Sequence, residues 1–225
     1  MSPDLKLYHY PLRACSHVTV CALEEARLSY DDVAVDIRKP DRSAEHLRVH
    51  PEGKVPALLV DNTPITENAA ILVYLHSLAP HAALFPTTND PFIHATHIAD
   101  LVWISSTLHP AIRQVRMPMR FTDGDPSGVQ NKGIEFATQF LERIERRLIG
   151  QPWWYGANWS IVDVYISWAI TTGASSGSLP MERFPKIKSH LERVRSRSSF
   201  ERAITRQRLS QEKFGIEFPD EWKTI

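Results

Sequence analysis

The sequence predicts an α/β unit followed by an all-helical one, on three observations. Between Gly53 and Leu72 a proline-initiated apolar run, a turn, a short return run and a helix start follow one another, the pattern of a strand pair feeding a helix. Between Pro80 and Pro91 lies the strongest punctuation of the chain, with Pro86 and Asn89-Asp90 inside it. Beyond it, every long segment has helical apolar spacing. The expected organisation is a first domain over residues 1–80, a linker over 81–90 and a helical domain over 91–225.

In the first domain, Leu5-Lys6-Leu7-Tyr8-His9 alternates as a strand and stops at Pro11. Arg13-Ala14-Cys15-Ser16-His17 leads into a helix carrying Val18, Val20, Ala22 and Leu23 and ending near Ala26. A second strand is expected from Tyr30 to Ile37, with Val33 and Val35 on one side. Asp41 or Ser43 can cap a short helix through Val49, which His50-Pro51-Glu52-Gly53 breaks. Pro56 has no N–H for a ladder, so it belongs at the start of the strand Ala57-Leu58-Leu59-Val60. A cis Val55-Pro56 bond there turns the Val55 N–H and C=O outward, an edge on which an extended peptide can dock. Asp61-Asn62-Thr63 is a turn, Pro64-Ile65 the return strand, and Thr66 a cap for the helix through Ala69, Ala70, Leu72, Val73 and Leu75. Glu67 and Asn68 then stand beside the unpaired N–H groups of that helix start, where an anion is favoured.

In the helical domain, Ile93 to Leu108 keeps one apolar face through Ile98, Leu101 and Val102 and is expected to stop or kink at Pro110. Phe121 to Gly128 reads as a loop, and Val129 to Leu148 as a helix ended by Gly150. Ser160 with Asp163 three residues on forms a near capping box ahead of Val164, Ile166, Trp168 and Ile170, the expected buried centre of the domain, with Asp163 structural and not catalytic. Helices over Pro185 to Ser196 and Phe200 to Lys213 complete it, followed by an aromatic tail of Phe214, Phe218 and Trp222 that can fold back over a site.

The composition narrows the possible functions. The chain has 225 residues, 43% of them hydrophobic and 23% charged, with a formal net charge of zero, so the global charge argues neither for nucleic acid nor for an anionic membrane. Charge is nonetheless uneven: nine basic residues face two acidic ones between Arg183 and Arg208, a solvated face or a field that attracts an anion. Cys15 and Cys21, six apart, fall on different faces of a shared helix and are expected to be reduced thiols. The start of the chain has no basic-then-apolar signal pattern, no window approaches a membrane span, and the histidines show no metal spacing, so a cytoplasmic, metal-free protein is expected.

The ordered set Val55-Pro56-Ala57-Leu58 followed by Glu67-Asn68 at a helix start resembles the glutathione-binding signature of the glutathione transferase superfamily. The resemblance implies a thioredoxin-like domain, matching the strand, helix, strand, helix, strand, strand, helix order, followed by an all-helical domain. In that family the valine before the cis-proline pairs with the main chain of glutathione, and an acidic residue followed by serine holds its γ-glutamyl group. Carried over, these are Val55, Pro56 and Glu67, with Asn68 in place of the serine and Lys54 alongside. Ser160-Ile161-Val162-Asp163 is similar to the capping box that heads the family's core helix.

The group that stabilises glutathione's thiolate belongs near the start of the first helix, and Tyr8, Tyr10, Cys15 and Ser16 are the candidates. Pro11-Leu12-Arg13-Ala14-Cys15-Ser16 resembles the Pro-x-x-Cys-Ser of the bacterial beta class with one more residue between Pro and Cys. It also aligns with the zeta class, in which Arg13 and Ala14 replace two serines, a difference that argues against maleylacetoacetate isomerase. Cys15 is the shared position. At a helix N-terminus beside Arg13 its pKa should be lowered, for a mixed disulfide with glutathione or a hydrogen bond to its thiolate. Trp103-Ile104-Ser105-Ser106-Thr107-Leu108-His109 is similar to a beta-class segment whose histidine approaches the sulfur, with Pro110 where a lysine is usual. The resemblance thus implies Cys15, Ser16 and His109 as catalytic candidates and Trp103, Arg113, Met117 and Phe121 as lining for an electrophile, with Arg113 or Arg116 standing in for the lysine.

The expected function is a homodimeric glutathione transferase acting on a small hydrophobic, even aromatic, electrophile. Two alternatives stand beside it: a glutathione-dependent thiol–disulfide reductase with Cys15 as nucleophile, and a non-catalytic transferase-like module that binds a protein. Neither nucleic acid nor membrane is expected as a partner.

Overall fold

The structure, a computed structural model, describes residues 2–218, so Trp222 of the anticipated tail lies outside the described residues. They divide into two compact units, one running to Tyr74 and resuming at Ser198, the other covering Leu75–Arg197. No helix among the described residues is long and apolar enough to cross a membrane.

The first unit holds a four-stranded sheet in the order β2-β1-β3-β4, formed by β1 (Leu5–His9), β2 (Asp31–Ala34), β3 (Ala57–Val60) and β4 (Thr63–Thr66). β1 pairs parallel with β2, placing Tyr8 opposite Val33, and antiparallel with β3, placing Leu7 opposite Leu58. β2 is shorter than the expected strand to Ile37. Val35 still donates to the His9 carbonyl at 2.8 Å, but β1 then ends, and Arg38 forks onto Asp36 to turn the chain. Helix α2 (Ala44–Val49) is capped by Ser43, whose hydroxyl accepts from His46 N–H, and not by Asp41. Thr66 is likewise not the cap of α3 (Asn68–Leu78): it ends β4, and Glu67 makes the strand-to-helix turn at φ 68°.

Nine of the eleven residues of α1 (Ser16–Ala26) are buried, which requires cover beyond the sheet. It comes from the last helix, α9 (Ser198–Lys213), whose buried face is Ser199, Ala203, Gln207 and Ser210, small or amide side chains that admit close approach. This corrects the expected boundary: α9 belongs with the sheet, because Gln207 and Ser210 find their buried partners on α1 and β1. Arg206 adds an ion pair to Asp32, and Phe218 packs edge-on against Tyr10.

The second unit begins at Leu75 and so takes in the whole segment expected to be a linker, residues 81–90. Leu84 and Phe85 are instead buried, and the Leu84 carbonyl accepts from Ile161 N–H at 2.8 Å. Helix α4 (Pro91–Trp103) is capped by Asp90 on Phe92 N–H. Pro110 does not stop it. A π turn over Ile104–Leu108 joins α4 to α5 (His109–Arg116), a wider turn that accommodates a residue without N–H. Helix α6 (Ser127–Arg147) crosses α5 closely at Gly133, where a Cβ would stand 2.7 Å from the Gln114 Cβ. Helix α7 (Ile161–Ala174) is the buried centre, and α8 (Pro185–Arg195) closes the unit.

The anticipated capping box is present at α7. Asp163, completely buried, accepts from Ser160 N–H and Oγ through one oxygen, and from Trp154 N–H and His190 Nε2 through the other. Four hydrogen bonds on one carboxylate leave it no free face.

Candidate functional site

Three segments far apart in sequence meet in the sheet-containing unit. The Val55-Pro56 bond is cis, and the β3 ladder begins only at Ala57, opposite Tyr8, so Val55 lies outside the ladder. Cys15 occupies the N-cap position of α1, half-buried, with its Sγ 3.6 Å from the Val55 carbonyl oxygen. Asn68, the first residue of α3, donates its Nδ2 to the Cys15 carbonyl at 2.7 Å. Glu67 is exposed beside these groups in the left-handed region, where a side chain other than glycine persists only under constraint.

Some expected ligands are spent on structure. Ser16 is completely buried; its hydroxyl accepts from Tyr10 N–H at 3.2 Å and lies 3.3 Å from the Tyr10 carbonyl, closing the β1–α1 loop. That corrects its assignment as a catalytic group. The Asn68 side chain points inward, taking the Thr19 hydroxyl at 2.6 Å on its oxygen, so the replaced serine has become a tie between α3 and α1. Its backbone N–H remains at the start of α3. Lys54 is exposed with its ammonium against Glu52, while its carbonyl takes the His46 ring at 2.9 Å.

The tyrosines differ from the thiol. Tyr8 donates to Glu45 at 2.5 Å and is pushed up to about 12 by burial and by that carboxylate. Tyr10 is buried, its hydroxyl has no hydrogen-bond partner among the described residues, and burial raises it to about 12 as well. Cys21 faces His17 Nε2 at 3.4 Å in the interior, and burial holds its thiol far above the ordinary range. Of the two thiols, Cys15 is the one with access to solvent.

In the helical unit, His109, Arg113 and Met117 follow at four-residue spacing along α5 and its C-cap. The His109 ring stands edge-on to Trp168 at 4.7 Å, and burial together with the Arg113 and Arg116 charges lowers it to about 4, leaving it neutral near pH 7. Phe121 is exposed after the short turn Pro118–Arg120. Trp103 departs from the expected grouping. Its ring stacks on Trp154 at 5.9 Å, meets Phe140 edge-on and carries the Arg143 guanidinium at 4.1 Å, an aromatic cluster on the α4–α6 side. The π turn between Trp103 and His109 separates the two.

Sequence reasoning missed Thr19, Gln207 and the inward aim of Asn68. The small residues Ser199, Ala203 and Ser210 on one stripe of α9 signal close packing, but not against which helix.

A thioredoxin-like sheet unit with a cis-proline corner, followed by a helical unit, places the chain in a fold class that known proteins share. Residues 3–77 match the family described as glutathione S-transferase, N-terminal domain. Over 209 residues the chain is 29% identical to the disulfide-bond oxidoreductase YfcG of Escherichia coli, covering 88% of this chain and 93% of that one. It is 28% identical over 215 residues to the maleylacetoacetate isomerase maiA of Aspergillus fumigatus, covering 90% of each. A sphingomonad glutathione S-transferase complexed with glutathione matches with a TM-score of 0.78 at 26% identity, over 91% of this chain and 99% of that one. Residues 3–77 thus carry the N-terminal domain of the glutathione S-transferase family, and the chain has the fold of glutathione transferases over 91% of its length.

Proposed function

We propose that the protein is a glutathione transferase that binds glutathione along Val55 and the start of α3 and transfers it to a small hydrophobic electrophile, aromatic ones included. The observation that carries this reading is the meeting of Cys15, the Val55 main chain and Glu67 in one unit. Glutathione pairing with the Val55 carbonyl would take the place of the Cys15 S–H, which would turn to donate to the glutathione sulfur. Glu67 is placed to hold an ammonium, and the N–H groups of α3 a carboxylate. His109, Arg113, Met117 and Phe121 are the side chains proposed for the electrophile and its polar groups.

Retention on immobilised glutathione, with turnover assayed on an aromatic halide, tests the reading. Retention with turnover supports it, and retention without turnover leaves the non-catalytic module. A second reading, a glutathione-dependent thiol–disulfide reductase, is favoured by the accessible thiol of Cys15 next to a proposed glutathione site and by the likeness to YfcG. The proposal extends to a cytoplasmic homodimer, supported by two cysteines that form no disulfide and by exposed Phe92, Ile98 and Val102 on α4 and Phe136 on α6.

A further inference from the structure

Gln207 of α9 is completely buried, yet both ends of its amide are satisfied by groups around the start of α1. Its Oε1 accepts from Leu12 N–H at 2.8 Å, and its Nε2 lies 2.8 Å from His17 Nδ1 and 2.9 Å from the Ala203 carbonyl. Leu12 can only donate, so the oxygen must face it, and the amide nitrogen must then face His17 Nδ1 as donor. His17 therefore keeps its proton on Nε2, directed at Cys21 Sγ. Leu12 itself stands at φ 63°, a conformation leucine holds only when its surroundings impose it. Three residues later comes Cys15. The loop is pinned at its base by Ser16 on Tyr10 and at Cys15 by Asn68; between those points, Gln207 grips Leu12.

We propose that Gln207 is a positioning residue: from α9 it holds Leu12 in the left-handed conformation and so sets where the Cys15 thiol stands beside Val55. This rests on the reading of Cys15 as the group at the glutathione sulfur. A small displacement of such a group lowers turnover more than it weakens binding.

The test compares Gln207→Met, which keeps length and loses the amide, with Ser210→Ala. The latter removes an equally buried α9 hydrogen bond, to His9, that does not touch the loop. In the full-length protein, Gln207→Met should lower kcat by about ten- to a hundredfold while the glutathione KM stays within about twofold. Amide hydrogen exchange at Leu12 should accelerate in the same variant. Ser210→Ala should lower the melting temperature but move neither kcat nor Leu12 exchange. Should Gln207→Met fail to fold, Gln207→Glu, which retains an oxygen for Leu12, is expected to keep turnover within a few-fold of the parent, and a large loss there would overturn the inference. Equal losses in Gln207→Met and Ser210→Ala, or parent-like turnover in Gln207→Met, overturn it too. Absence of turnover in the unsubstituted protein overturns the transferase reading instead, and the Leu12 exchange comparison then still decides whether Gln207 holds the loop.

Discussion

At the scale of single residues, the site separates side chains that face outward from those of the same motif turned inward. Glu67 is exposed and conformationally constrained, and Asn68, its neighbour, is buried in a tie to Cys15 and Thr19. Glu67→Ala retains a Cβ and so the same backbone penalty, which makes it a clean test of the carboxylate. Calorimetry should show glutathione binding weakened by roughly 1.5–3 kcal/mol, the size of a lost charged hydrogen bond; unchanged affinity would remove Glu67 from the site. Cys15 decides between transfer and disulfide chemistry. A thiol reagent should label Cys15 well before Cys21, whose thiol is buried and held protonated. Cys15→Ser should abolish disulfide exchange if Cys15 is the nucleophile, since a hydroxyl cannot carry the mixed disulfide. Under the transferase reading the serine still donates a hydrogen bond, and substantial conjugation should survive. Unchanged disulfide exchange in Cys15→Ser would exclude the nucleophile, and unchanged conjugation in Cys15→Ala, which has no donor, would exclude the hydrogen-bond role and redirect attention to Tyr10, whose buried hydroxyl has no hydrogen-bond partner among the described residues.

At the scale of elements, α7 and α9 carry buried polar groups whose worth lies in complete satisfaction. Asp163 joins the start of α7 to the Trp154 backbone and to His190 of α8, so its removal strands three elements at once. Asp163→Ala should destabilise the protein by roughly 3–5 kcal/mol, as expected for leaving the partners of a buried acid unpaired. The loss should appear in the denaturant midpoint and refolding yield, with glutathione affinity of the folded fraction near normal. A fully stable variant deficient only in turnover would contradict the structural assignment. The π turn at Ile104–Leu108 is the element-scale answer to Pro110, for it lets the helix pass the proline and resume with His109 at its start.

At the scale of the molecule, buried histidines and a charge-paired aspartate give the fold a common sensitivity to acid. His17, enclosed by Gln207, Cys21 and Phe200, is lowered to about 4 by burial, and the Gln207 amide that donates to its Nδ1 favours the same neutral ring. Burial likewise lowers His109 to about 4. Burial pushes Asp32 up, but hydrogen bonds from His9 and Ser210 and the Arg206 charge outweigh it and hold the carboxyl below its ordinary range. The sign is the same for all three: the unfolded chain takes up protons that the fold refuses. For the histidines, stability should fall as pH drops from about 6.5 toward 4, by roughly 3 kcal/mol for a group as buried as His17. The Asp32 contribution is present above the ordinary aspartate value and is lost at still lower pH. Urea midpoints should therefore be lower at pH 5 than at pH 7.5, with proton uptake on unfolding at pH 5. A midpoint that rises on acidification would contradict this account.

What the sequence by itself determined is local. Pro56 must open a strand because it lacks an N–H, Ser160 with Asp163 must cap a helix because their side chains reach each other's N–H groups, and the spacing from Phe200 to Lys213 already traces α9. The site motifs on either side of that proline could be read for the same reason, since each is a few residues of constrained backbone. Tertiary structure alone decided which side chains those motifs present. Ser16 and Asn68 are polar residues at promising positions, yet both are consumed by partners 6 to 53 residues away, and no periodicity reports a partner. The placement of α9 on α1, the burial of Leu84 and Phe85, and the grip of Gln207 on Leu12 across 195 positions likewise depend on how surfaces pack. Dihedral preference and hydrophobic spacing act over one or two turns of chain, whereas the pairing of a buried polar group is settled only when the whole interior closes around it.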